Sequence, residues 1–194
     1  NIGIEHPQGQ LNRDFFKGIE KKSTVMMMIN GKYEWNHRNN IMFRAMMEAL
    51  QIKLREALRE DKGGVYGVSN WEETEKYPEQ EFTVNVYFGC NPDRVKELSD
   101  EVVKQMETLK TEGPDEKNML KVKEMMARAY EKNLKENNYW LSKLSTLYFY
   151  GENPAQILET GKIIGNIKPD DIKKAANMYL DTKNIKKFVL FPEK

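Results

Sequence analysis

The sequence predicts an α+β domain with split β-α-β (ferredoxin-like) layers, an antiparallel-rich sheet packed by helices. Three observations carry this. Phe82, Val84, Val86 and Phe88 alternate with Thr83, Asn85 and Tyr87, the period of two that a strand with one buried face requires. Phe43, Met47, Leu50, Leu54 and Leu58 step by four, three, four and four, which is one helical face. The element order then reads strand, helix, strand, strand, several helices, strand.

Residues 1–22 are polar, with Pro7, Gly9 and Gly18, and read as an extended lead-in. The run 23–30, STVMMMIN, reads as a buried strand stopped by Asn30-Gly31, although Met is not a strand former. After a loop over 32–38, a helix is expected from about 40 to 62, ended by Gly63 and Gly64, since glycine accepts the left-handed backbone that closes a helix. A strand follows over 65–71. The charged stretch 72–80 with Pro78 reads as a turn or long hairpin loop. The alternating strand comes next. Asn91-Pro92-Asp93 then supplies a cap and a first-turn proline for a helix through Val95, Leu98, Val102, Met106 and Leu109. Gly113-Pro114 separates it from a helix to about 137. Further helices are expected up to Gly151, at about 153–160, and from Lys168-Pro169 to about 180. A last strand spans 185–191, stopped by Pro192.

Composition narrows the function classes. The 194 residues suit one domain or two small ones. With 31 basic and 30 acidic residues the net charge is +1, which argues against a nucleic-acid protein, since those carry a basic excess or stripe. No apolar run approaches the roughly 20 residues that span a bilayer. The single Cys90 excludes an internal disulfide, which suits the cytosol and also a secreted protein large enough to need no bridges. The chain begins NIGIEHPQGQ without Met, so more polypeptide is expected before Asn1.

No catalytic residue is expected in this chain alone. Only His6 and His37 are present, and neither has a Glu or second His at helical spacing, so no metal site is expected. Cys90 ends a strand. As a nucleophile it would need one of those histidines as base, and a half-buried small residue is the better reading. Ser69 in YGVSNW is not in a nucleophile elbow. The glycines of KGGVYG lack the phosphate-loop spacing and close a helix instead of opening one, the wrong end for an anion. Trp140 among Tyr139, Leu141 and Leu144 reads as helix packing, with an aromatic pocket wall as the second reading. The 11 methionines fit a plastic core or an adaptable peptide surface equally well.

Arg59 and Tyr66 flank the Gly63-Gly64 corner. Arg59 falls at the edge of the apolar face in the last helical turn, where a cation is favoured by the helix dipole by up to about 1 kcal/mol. Tyr66 shares a strand face with Val68, as an ordinary half-buried tyrosine would. Spacing leaves structural and functional readings open for both.

The passage ALQIKLREALREDKGGVYGVS resembles the non-catalytic repeat of the insulinase/pitrilysin family of zinc metallopeptidases, which includes the mitochondrial processing peptidases. In that family a long helix ends in Leu-Arg-Glu, a glycine-containing turn follows, and a Tyr comes seven residues after the Arg. GIEKKSTVMMMINGKY, VYFGCNPDRVKELSDEV, NNYWLSKL and FVLFPEK are also similar to it. The likeness begins near residue 18, which divides the chain into a lead-in, 1–17, and a C-terminal, inactive, substrate-binding domain, 18–194.

The resemblance implies the fold of the LuxS/processing-peptidase-like metallohydrolases and a hollow chamber built from two related α+β halves. The first half carries the inverted zinc motif His-x-x-Glu-His and a further Glu, and the second has lost it. This chain is similar to most of the second half, without its first strand and helix. The implied partners are an N-terminal catalytic domain, in the same chain or another subunit, and a peptide substrate. No nucleic acid or membrane is implied, and zinc, the one cofactor, belongs to the missing domain. Arg59 and Tyr66 match the pair that hydrogen-bonds substrate carbonyls near the scissile bond, with the Tyr helping the oxyanion. A periplasmic or cell-envelope location follows from bacterial relatives, with the cytoplasm as the alternative. Two other readings stand beside this one: a non-catalytic peptide-binding or scaffolding subunit of the same fold, and a plain α+β interaction domain in which the pair is structural.

Overall fold

The computed structural model describes residues 3, 6–61 and 63–193. Its sheet has five strands in the order β1-β5-β2-β4-β3. β2 (Ser23–Lys32) leads through α1 (His37–Leu54) to β3 (Val65–Glu75), which returns as β4 (Glu81–Cys90). α2 (Val95–Thr111), α3 (Glu116–Asn133), α4 (Asn137–Phe149), α5 (Gln156–Asn166) and α6 (Pro169–Tyr179) precede β5 (Ile185–Phe191). β4 lies between β2 and β3 and is antiparallel to both, and β5 is antiparallel to β2. That is the split β-α-β arrangement expected from the element order.

Four local differences from the sequence reading have physical causes. The lead-in contains β1 (Leu11–Phe16), paired parallel to β5. Its sequence LNRDFF is exposed at five of six positions, so an edge strand held by backbone pairing shows no buried alternation. β3 continues to Glu75, because Glu72, Glu73 and Thr74 pair with β4 despite their charge. α5 begins and ends later than 153–160, running to Asn166. The helix expected over 40–62 is α-helical only to Leu54 and continues as a π-helix over Arg55–Asp61.

The expected Asn91 cap is in place, accepting the Asp93 amide at 3.1 Å before α2. α1 begins earlier than about 40, at His37, where Asn36 accepts the Asn39 amide at 2.8 Å. Pro169 opens α6.

One sheet face holds the core. Val25, Met27 and Ile29 stand opposite Phe88, Val86 and Val84, all buried with Phe43, Leu50, Leu54 and Leu58 of the helix above. Phe43, Phe82 and Tyr179 close one end, with ring centroids 4.6–5.5 Å apart. The opposite face presents Met26 and Met28 beside Tyr87 and Asn85, and its rings and aliphatics are more open: Tyr87 and Leu190 are exposed. The domain therefore has a helical side and a barer sheet side, and Tyr87 points to the latter.

Candidate functional site

At the end of the π-helix the chain must turn sharply into β3. Gly63 takes φ +53°, a region that costs residues with a Cβ. The Gly64 amide then donates to the Leu58 carbonyl at 3.1 Å, and Leu58 is fully buried. This anchors the corner to the core. Arg59, the next residue, is exposed, outside the edge of the apolar face expected for it.

Tyr66 departs from the sequence reading in the same way. Val65 pairs with Cys90 and Gly67 with Gly89, so Tyr66 is the extra residue of a β-bulge. A bulged residue escapes the alternation of its strand. Tyr66 is 73% exposed, whereas Val68, which should share its face, is half-buried against the core. The ordinary half-buried tyrosine is therefore overturned by the bulge.

Beside Tyr66 lies a recess of about 350 Å³ lined by Lys22, Tyr66, Gly67, Val68, Ser69, Tyr87 and Gly89. The Lys22 ammonium sits 5.3 Å from the centroid of the Tyr66 ring, within cation–π range. Arg59 does not line this recess. The structure sets Arg59 and Tyr66 on either side of the glycine corner, both toward solvent. Sequence reasoning missed Lys22, Tyr87 and Gly89 as neighbours of Tyr66. Only the strand register brings them together, and a single sequence does not carry it.

A larger cleft of about 810 Å³ runs between α1, β3 and the outer helices. Arg44 pairs with Glu48 one turn along α1 at 3.0 Å and with Glu72 of β3 at 3.2 Å. His37 Nε2 lies 3.1 Å from Thr160 Oγ1. Burial lowers the His37 pKa, helped by Lys143, and burial with nearby Arg44 lowers that of Lys143. The Arg44–Glu72 pair and the contact between His37 and Thr160 tie α1 to β3 and α5, so this cluster reads as a brace.

The remaining sequence candidates have structural places. Cys90 is buried, and burial raises its thiol pKa against the pull of Arg94. That makes it a poor nucleophile. His6 faces Glu81 at 3.6 Å. Trp140 is half-buried and donates to the Leu134 carbonyl at 2.9 Å, as helix packing requires. Among the described residues no three His, Cys, Asp or Glu side chains converge to hold a metal, so zinc does not fit them. No helix among them is long and apolar enough to cross a membrane.

Comparison with known proteins places this geometry in a family. The chain is 27% identical over 141 residues to a probable zinc protease, PqqL, of Haemophilus influenzae, covering 71% of this chain and 15% of that protein. The chain thus spans a small fraction of its relative. Its fold superposes on the periplasmic protease PqqL from Escherichia coli with a TM-score of 0.83 at 18% identity, over 98% of this chain and 21% of that one. It superposes on a peptidase M16 inactive domain from Pseudomonas fluorescens with a TM-score of 0.81 at 15% identity, over 100% of this chain and 46% of that one. Residues 5–126 match the family model described as the peptidase M16 inactive domain, and the chain belongs to that family.

Proposed function

We propose that this chain is the substrate-binding, chamber-forming half of a zinc-dependent peptidase acting on peptides, with zinc held by an N-terminal catalytic domain outside the chain. Arg59 and Tyr66 contact the substrate near the scissile bond. The observation that carries the reading is the bulge that lifts Tyr66 out of its strand alternation to 73% exposure. A tyrosine kept only for packing would gain nothing from that device. A phenol at a water-poor site can donate to a developing oxyanion, and a guanidinium presents several donors to carbonyls. Both are mounted on a corner anchored through Leu58, so their positions are held by the core. The name of the Escherichia coli neighbour supports a periplasmic or cell-envelope location.

The test uses the intact protein that contains this chain. Tyr66→Phe removes one donor, and a loss of roughly 10²–10³-fold in kcat is expected if the phenol meets the oxyanion. Arg59→Ala should lower kcat/KM as well. Both variants should unfold at the parent temperature. Unchanged kinetics, or a large loss of stability, would refute the assignment. An intact protein that binds peptides without cleaving them would favour the scaffolding reading.

A further inference from the structure

We propose that the recess beside Tyr66 is a carboxylate-binding subsite in which Lys22 selects an acidic group on the peptide. This deepens the peptidase reading and rests on it for the nature of the ligand.

The charge pattern is one-sided. Of the seven lining residues Lys22 is the one charged group, and none is Asp or Glu. Lys22 forms no ion pair with another described residue; its ammonium lies over the Tyr66 ring instead. A π-face holds a cation in position without neutralising it. The positive charge is thus oriented yet available. An anion can approach from the open side while the ring keeps its place behind the ammonium.

The floor of the recess is built to leave that approach clear. Gly67 and Gly89 are direct partners across β3 and β4. A Cβ on Gly89 would stand 3.2 Å from Lys22 Cε and 3.8 Å from Tyr66 Cδ2, so a side chain there would crowd Lys22 off the ring. A Cβ on Gly67 would meet nothing within 4 Å, which marks the open space of the recess. Ser69 and Tyr87, partners two pairs along the ladder and so on the same face, are both exposed and supply hydroxyl donors at the rim. One cation and these two hydroxyls are the donors a carboxylate uses. The volume of about 350 Å³ suits one side chain or chain end and is too small for a folded segment. An aromatic guest is disfavoured because Lys22 already lies over the Tyr66 ring.

Stability does not account for the pair. Both Lys22 and Tyr66 are exposed, and exposed ionic contacts contribute little to folding.

The experiment measures both binding and cleavage by the intact protein. Fluorescent peptides carry Glu, Gln or Lys at one interior position with an amidated C-terminus, and a further Gln peptide has a free C-terminus. Binding is read by anisotropy, which does not require hydrolysis. The acidic peptide should bind about tenfold more tightly than its Gln counterpart at low salt, a preference that shrinks as salt screens it. If the free C-terminus gives the gain instead, the subsite reads the chain end. Lys22→Met should bring the Glu/Gln ratio to about one, and Lys22→Glu should invert the preference toward Lys. Thermal unfolding of each variant establishes that it is folded. A Glu/Lys ratio unchanged by Lys22→Glu, or no gain from either carboxylate, overturns the subsite. Charge-selective binding without cleavage leaves the subsite standing and overturns the peptidase reading.

Discussion

The glycine corner between Arg59 and Tyr66 offers a test in which neighbouring substitutions fail for different reasons. At Gly63 a Cβ would meet nothing within 4 Å, but φ is +53°. The cost of Gly63→Ala is therefore conformational, about 1–2 kcal/mol for an L-residue in the left-handed region. Lower entropy of the unfolded chain offsets roughly 0.4–1 kcal/mol of it, leaving a net loss of about 1 kcal/mol. For a chain of this length that is roughly 2–4 °C in Tm. Gly63→Asn should lose less, since Asn visits this region readily. At Gly64 the backbone is ordinary and the space is not. An added Cβ would stand 2.7 Å from Arg94 Nη1 and 2.9 Å from Leu98 Cδ2. The Arg94 guanidinium can swing away, but Leu98 is fully buried and has nowhere to go. Overpacking of this kind costs about 1–3 kcal/mol. Thermal unfolding of the three variants by calorimetry reads both mechanisms. Gly63→Asn no better than Gly63→Ala would refute the left-handed corner, and a neutral Gly64→Ala would refute the contact with Leu98.

Two further outcomes follow from groups away from the corner. His37 is held below its ordinary pKa of 6.5, chiefly by burial and then by Lys143, against smaller upward pulls from Glu159 and Glu152. The unfolded chain therefore binds the proton first as pH falls. The stability contributed by neutral His37 is complete above pH 6.5 and is lost as pH drops toward the folded pKa. His37→Gln should flatten that part of the Tm–pH curve between pH 7.5 and 5, and an unchanged slope would contradict it. Lys186 is 3% exposed, with its ammonium on Asn30 Oδ1 at 2.5 Å and Asn184 Oδ1 at 2.7 Å. Asn184→Ala removes one of those acceptors and also the acceptor of the Gly9 amide. A loss of roughly 2–4 kcal/mol is expected in chemical denaturation, and a loss below about 1 kcal/mol would show that water replaces the amide.

What the sequence disclosed is what short-range periodicity encodes. The alternation in β4 and the five-residue stripe that runs through α1 into the π-helix both named buried residues correctly, because each pattern records its own burial. The split order of elements gave the antiparallel pairing of β2, β4 and β5 through chain connectivity alone. β1 stayed hidden because a parallel edge strand with mostly exposed side chains leaves no alternation to detect. The recess stayed hidden for another reason. Lys22 and Gly89 are distant in sequence and meet through the register of β2 and β4, in which Ser23 stands opposite Cys90. Arg59 and Tyr66 stood out by likeness to a family, and their own spacing supported a bland reading just as well.

The case for a functional Tyr66 has one definable point of support. Were β3 regular, Tyr66 would point with Val68 toward the core. The bulge between Val65 and Gly67 gives up a step of regular pairing and leaves the ring 73% exposed, and bulges recur where a side chain is re-aimed for function. Arg59 has no such device: the buried stripe continues through Leu58, and the next residue of a helix turns away from it by about 100°. Within this chain the peptidase reading therefore rests on the bulge, and the kinetics of Tyr66→Phe in the intact protein decide between that reading and a structural role.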